Sequence, residues 1–209
     1  MKYDTVDVVI PARNEADSIG RILSVFKLHP GIGTVIVTVD ADTTDDTAQV
    51  ARECLDDTDM VLDMHKYRGK GQCVTYGLRH VSTEYVVFCD ADITGLDVDH
   101  ISLLIHNATI GEYGMTIGVP EVAANLPTER IWAWRWVSGQ RCVPTILVRR
   151  LKLHGYLMET QLNHAARFAE MPVTFAWLRG LHSAYNMTDR RIQEMERDAA
   201  YGKAHGILL

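Results

Sequence analysis

Apolar residues fall in short unbroken runs through the first half of the chain, with amphipathic stretches between them. VDVVIPA (6–12) has the length and content of a strand buried on both faces, and Pro11 marks its expected end. In EADSIGRILSVFKLH (15–29), Ile19, Ile22, Leu23 and Phe26 recur at helical spacing, and His29-Pro30-Gly31 stops the helix. TVIVTVD (34–40) predicts a second strand. TTDDTAQVARECL (43–55) predicts a helix that opens on Thr and Asp cap residues. DMVLDM (59–64) suits a short strand, and GKGQCVTYGLRHV (69–81) a helix entered through glycines. EYVVFCDAD (84–92) is the next strand and DVDHISLLIHNAT (97–109) another amphipathic helix.

This alternation predicts an α/β fold with a mostly parallel, right-handed, doubly wound sheet. In such sheets ligands bind beyond the carboxyl ends of the strands. Polar clusters fall at three of those ends: Arg13-Asn14-Glu15, Asp40, and Asp90-Ala91-Asp92. The second half is less regular. GMTIGVPEV (114–122) and PVTFAWL (172–178) read as strands and YLMETQLNHAARFAEM (156–171) as a helix. TDRRIQEMERDAAYGKAHG (188–206) reads as a charged surface helix. Trp132, Trp134 and Trp136 alternate as in a strand, yet Arg130 and Arg135 with the flanking pattern suit a helix equally; core packing is the expectation for most of these tryptophans.

Composition narrows the classes. Apolar residues make up 47% and charged residues 23% of 209, as in an ordinary globular domain with a sizeable core. A net charge of −6 argues against a general nucleic-acid coat. Cys54, Cys73, Cys89 and Cys142 lie far apart without a CxxC, which favours a reducing compartment. The charged N-terminus does not read as a signal peptide, and no apolar run approaches the roughly 20 residues of a membrane span. The expected location is cytoplasmic.

Three features bear on chemistry. Asp90 and Asp92 alternate at a strand end, so both carboxylates can share a face. They read either as a solvated strand end or as hard oxygen donors for Mg²⁺ or Mn²⁺. The YRGKGQ turn (67–72) puts glycines on both sides of Lys70 before a helix; it reads either as a flexible turn or as an anion cradle. It lacks the phosphate-loop pattern, and the G-x-G of HPGIGTV (29–35) lies between a helix and a strand, the reverse of a dinucleotide fingerprint.

Five segments in this order, VVIPARNEADSIGRIL, VDADTTDDTAQVA, RGKGQCVTYGL, VVFCDADI and SGQRCV…GYLMETQL, resemble the family 2-type nucleotide-sugar glycosyltransferases of GT-A fold. The nearest flavour is that of the glucosyl-3-phosphoglycerate and polyprenyl-phosphate sugar synthases. The resemblance covers roughly residues 5–165. It implies a single domain over 1–209, with a nucleotide-binding half (1–110), an acceptor half (111–187) and a C-terminal helix (188–209). Pro11, Ala12, Arg13, Asn14 and Glu15 match the strand end that holds the nucleoside, and Asp40 matches a carboxylate beside the base. Ala41 and Asp42 depart from the family's second Asp and its glycine. Gly69, Lys70 and Gly71 match a turn near the base and diphosphate. Asp92 matches a direct metal ligand, and Asp90 a ribose or metal partner. Gly139, Gln140 and Arg141 match a loop that faces the acceptor. Glu159 matches an acidic position beside the transferred sugar, and His182 a third metal ligand, with His65 and His154 as weaker rivals.

The implied reaction moves a sugar from a nucleoside diphosphate sugar, a UDP-sugar first, to a hydroxyl or phosphate acceptor. Mn²⁺ or Mg²⁺ would neutralise the leaving diphosphate, with Lys70 and Arg141 adding charge. Glu159 would take the acceptor proton in an inverting enzyme, or position the acceptor in a retaining one. Arg141, Arg149, Arg150, Lys152 and His154 read either as a solvated charged turn or as a surface for an anionic acceptor: a phosphate-bearing molecule, DNA or protein. A homodimer is compatible with this reading. The length suggests a minimal catalytic domain. Two rivals remain, a nucleotidyltransferase and a non-catalytic nucleotide-sugar-binding module. The first would want a glycine-rich loop after the first strand, which PARNEADS lacks.

Overall fold

A computed structural model describes residues 5–110, 114–121, 136 and 138–183 of the chain. The first half follows the expected alternation: β1 (Val6–Ala12), α1 (Ala16–Leu28), β2 (Ile32–Val39), α2 (Thr47–Cys54), β3 (Met60–Asp63), α3 (Lys70–Gly77) and β4 (Tyr85–Phe88). Then come β5 (Ile93–Thr94), α4 (Val98–Thr109), β6 (Met115–Pro120), β7 (Arg141–Pro144), the short helix α5 (Thr145–Val148), a 3-10 turn at Gly155–Leu157, α6 (Met158–Phe168), β8 (Val173–Leu178) and β9 (His182–Ser183). Pro11 does not end β1. It sits inside the strand, in register with Thr38, and the strand runs on to Ala12.

The main sheet has seven strands in the order β3-β2-β1-β4-β7-β6-β8. Strands β3, β2, β1 and β4 are parallel. β7 enters antiparallel to both β4 and β6, and β8 is parallel to β6. Alternation alone did not reveal β7, because RCVP is four residues long and closes on a proline.

The central strands are covered on both faces, which explains their continuous apolar runs. Val8, Ile10, Val35, Val37 and Val87 pack with Ile19, Leu23 and Phe26 of α1 and Ile101 and Leu104 of α4. On the other face Val9, Ile36, Val86 and Phe88 pack with Val74 of α3 and Met158 and Leu162 of α6. No described helix is long and apolar enough to cross a membrane. Trp136 is partly exposed and meets Phe175 edge-on at 4.9 Å, so it is not a core residue. Trp132, Trp134 and the helix expected at 188–209 lie outside the described residues.

One polar residue interrupts the β1 run. Asp7 is 1% exposed, and its carboxylate accepts from Thr34 N at 2.9 Å, Ser82 N at 2.8 Å and Ser82 Oγ at 3.1 Å. It ties the start of β2 to the loop before β4, at the edge opposite the polar clusters. Gly33 has no side chain there because a Cβ would come within 2.6 Å of Asp7 Oδ1. Asp7→Ala leaves these donors unpaired in a closed space, and urea unfolding is expected to show a loss of about 3 kcal/mol.

Candidate active site

The polar clusters converge because strand register brings them together. Ala12 pairs with Val39, and Asp40 N donates to Ala12 O at 2.9 Å, so Arg13 and Asn14 lie beside Asp40. Phe88 pairs with Arg141 in the antiparallel ladder. Continuing that register sets Asp90 beside Gly139 and Gln140. The β4 ladder ends at Phe88, so Asp90 and Asp92 lie beyond the strand rather than in it. Alternation nevertheless persists: Cys89, Ala91 and Ile93 enter the core, while Asp90 and Asp92 between them are half-buried.

The first wall is built by turns. Asn14 adopts φ 56° and accepts from Thr44 N at 2.8 Å, while Glu15 N donates to Thr47 Oγ1 at 2.8 Å. These bonds join the β1–α1 turn to the β2–α2 turn. Asp40, 5% exposed, accepts from Asp42 N at 2.8 Å and from Gly69 N. Asp42 in turn accepts from Arg68 Nε at 2.7 Å. The departure from the family pattern at Asp42 therefore supplies a contact that holds the next turn.

The two glycines around Lys70 serve different needs. Gly69 caps α3 with φ 83°, a left-handed conformation that glycine adopts without strain. A Cβ on Gly71 would come within 2.6 Å of the His154 backbone, so Gly71 lets the 152–155 loop dock on α3. That loop is also held by Thr75 Oγ1, which accepts from Leu153 N at 3.0 Å, and by Gln161 Oε1, which accepts from His154 N at 2.8 Å.

At the centre Lys70 Nζ lies 2.5 Å from Asp90 Oδ1 and 2.6 Å from Glu159 Oε1. Burial works against the ammonium, but the two carboxylates more than offset it and hold its pKa above the ordinary lysine range. Lys70 is therefore charged throughout the neutral range. Glu159 stands in the first turn of α6 and is 6% exposed. Gly139 packs flat against the pair: a Cβ would lie 2.5 Å from both Asp90 Oδ1 and Lys70 Nζ.

Arg141 corrects the sequence expectation. It is 0% exposed, so its guanidinium is closed off from solvent. Its guanidinium donates to Ser138 O at 2.7 Å, Trp136 O at 2.7 Å and Asn163 Oδ1 at 2.6 Å. Asn163 Nδ2 also donates to Trp136 O at 2.8 Å. Arg141 thus ties the carbonyls of Trp136 and Ser138 to α6. Burial lowers its pKa to about 10, partly countered by Glu159 and Asp90, so it stays charged at neutral pH. Asn163 gave no signal in the sequence, since its partners, Arg141 and the Trp136 carbonyl, meet it only in the fold. The basic stretch also divides: Arg141 is internal, whereas Arg149, Arg150 and Lys152 are exposed, with Arg149 also donating to Val81 O at 3.1 Å.

His182 is exposed on β9 and pairs with Thr94, two residues beyond Asp92. Among the described residues, no three His, Cys, Asp or Glu side chains form a ready-made metal cage. The expected set of Asp90, Asp92 and His182 is thus not gathered into one, and Asp90 is paired with Lys70. The donor types still fit Mg²⁺ or Mn²⁺, which take one or two carboxylates and complete their shell with substrate phosphates and water. His65 is exposed and His154 belongs to the docked 152–155 loop.

A mostly parallel sheet with its carboxylates and a lysine gathered at one edge defines a GT-A type α/β domain. The chain belongs to glycosyl transferase family 2, whose model matches residues 7–186. The fold is similar to glucosyl-3-phosphoglycerate synthase from Mycobacterium tuberculosis in complex with Mn²⁺ and UDP-glucose, with a TM-score of 0.78 and 20% identity over 99% of this chain and 80% of that one. A second complex of that synthase, with Mn²⁺, UDP and glucosyl-3-phosphoglycerate, gives 0.75 and 22% identity over 93% and 76%. A 4,4'-diaponeurosporenoate glycosyltransferase of Staphylococcus aureus is 31% identical over 121 residues, 54% of this chain and 31% of that one. The match thus takes in about a third of the length of that relative.

The four cysteines are free. Cys73 lies beside Asp40, and burial, then that carboxylate, pushes its thiol up to about 12, with Arg13 pulling the other way. Burial raises Cys142 and Cys89 as well, with Asp90 adding to Cys89. A raised thiol pKa keeps the unreactive protonated form at pH 8. A thiol reagent at pH 8 is therefore expected to label the exposed Cys54 quickly in the native protein, and all four only after denaturation.

Proposed function

We propose that this chain transfers a sugar from a nucleoside diphosphate sugar, a UDP-sugar first among these, to a hydroxyl or phosphate acceptor. The observation that carries the proposal is the meeting of Asp40, Lys70, Asp90 and Glu159 at the carboxyl edge of a family 2 domain. The likeness to a synthase solved with UDP-glucose and Mn²⁺ supports the choice of donor and cation. Four free cysteines accord with a reducing, cytoplasmic setting.

Each part of the site has a task in this reading. Arg13, Asn14, Asp40 and Gly69 form the wall for the nucleoside. Asp92 and Asp90 are the carboxylates that would hold a divalent cation. Such a cation supplies positive charge against a departing diphosphate. Lys70 brings a second, permanent charge to the same edge, preset by its two partners. Glu159 meets Lys70 through Oε1, which favours a positioning part over that of a free base. Arg141 acts from behind by fixing the carbonyls of Trp136 and Ser138. Arg149, Arg150 and Lys152 are exposed cations suited to an anionic acceptor, and one neighbour was solved with phosphoglyceric acid.

The test is thermal stabilisation by a panel of nucleoside diphosphates and their sugars, with and without Mn²⁺, followed by donor turnover. Stabilisation by UDP or a UDP-sugar is expected only with metal, and Asp92→Ala is expected to lower turnover about 100-fold or more. A protein that responds to no nucleotide, with metal or without, would sink the transferase reading.

A further inference from the structure

We propose that Ser138 and Gln140 form a positioning pair for Asp90, an inference that rests on the donor site described above. Gln140 is 2% exposed and Ser138 8% exposed, so neither presents a surface to an acceptor. Gln140 Nε2 lies 3.1 Å from Asp90 Oδ2. An ionised carboxylate only accepts hydrogen bonds, so the group facing it is the amide NH₂. That choice turns Gln140 Oε1 toward Ser138, whose hydroxyl lies 2.7 Å away and shares its single proton between that oxygen and Gly118 O. The Gln140 backbone N–H returns to Ser138 Oγ at 3.3 Å. A buried chain therefore runs from the backbone of β6 through Ser138 and Gln140 to one oxygen of Asp90.

The two oxygens of Asp90 are held in different ways. Oδ1 faces the Lys70 ammonium, on a long side chain that also serves Glu159. Oδ2 faces a neutral amide whose far oxygen shares the Ser138 proton with Gly118 O. A second cation there would cancel the charge that Asp90 brings to the site. An amide orients the carboxylate and leaves that charge in place. When donor and cation draw on Lys70 or Asp90, the Gln140 bond keeps the carboxylate in one orientation. Without it, Asp90 is free to turn both oxygens to Lys70. The register of β4 and β7 brings the two segments together, since Phe88 opposite Arg141 puts Gly139 opposite Asp90 and Gln140 one position along, within reach of its carboxylate.

The test is calorimetric titration of UDP in the presence of Mn²⁺, carried to millimolar UDP. Gln140→Met fills nearly the same space without a donor, and about tenfold weaker binding is expected from loss of a hydrogen bond to a charged group. Gln140→Glu also fills the space but sets two carboxylates face to face, and a larger loss than with Met is expected. Ser138→Ala should weaken binding in the same direction by less. In an Asp90→Ala background Gln140→Met should cost almost nothing further. A packing role predicts equal losses for Met and Glu, and the same loss whether or not Asp90 is present; either result overturns the pair. Circular dichroism of each variant separates these outcomes from unfolding, and Ser138→Ala serves if Gln140→Met does not fold. If the unaltered protein binds no UDP with Mn²⁺, the donor-site reading itself fails and the pair falls with it.

Discussion

An ammonium group between two carboxylates links the parts of this molecule that matter most. Lys70 starts α3, Asp90 follows β4, and Glu159, 89 residues beyond Lys70, starts α6. Drawing three charges out of water is costly, and such a cluster persists only where hydrogen bonds satisfy its members. The surrounding structure meets that condition. Gly69 sets the helix start, Gly139 clears space beside the pair, and Gln140 takes the remaining oxygen of Asp90. Arg141 then secures the segment carrying Gly139 and Gln140 to the helix carrying Glu159.

The same cluster reconciles two needs of a phosphate-handling site. Charge must be present before the ligand arrives, and it must be oriented. With no diphosphate bound, Asp90 and Glu159 together hold the Lys70 ammonium in place, and the three groups sum to one negative charge. Preorganisation rests on the sheet, because each contributing residue lies at a strand end or a helix start rather than on a long loop. Asp7 closes the opposite edge with backbone hydrogen bonds and stands apart from the chemistry.

Much of the fold was legible in the order of apolar runs. β1, β2, β3 and β4 with α1, α2 and α3 fall where periodicity places them, within a few residues at their ends. Strand ends were harder to place than strands, because side-chain patterning continues past the last ladder bond: Ala91 and Ile93 are buried although β4 closes at Phe88. β7 escaped because four residues carry too little pattern. Arg141 misled because an arginine in a polar motif looks like a ligand contact. Its burial depends on carbonyl partners at 136 and 138 and on Asn163, none of which a charge count reveals.

The sequence by itself determined which residues bear charge, where chain reversals occur and which edge of the sheet they reach. Those properties are local: period-two and helical spacing, glycine before a helix, carboxylates after a strand. Tertiary structure alone decided which of those residues meet. Lys70 finds Glu159 across 89 residues because both helices pack on one face of the sheet. Gln140 comes within reach of Asp90 because β7 runs antiparallel to β4 and, just beyond Phe88 and Arg141, the chain sets Gly139 opposite Asp90 with Gln140 one position along. Register and packing are collective outcomes of burying both faces of the sheet, and no single segment encodes them.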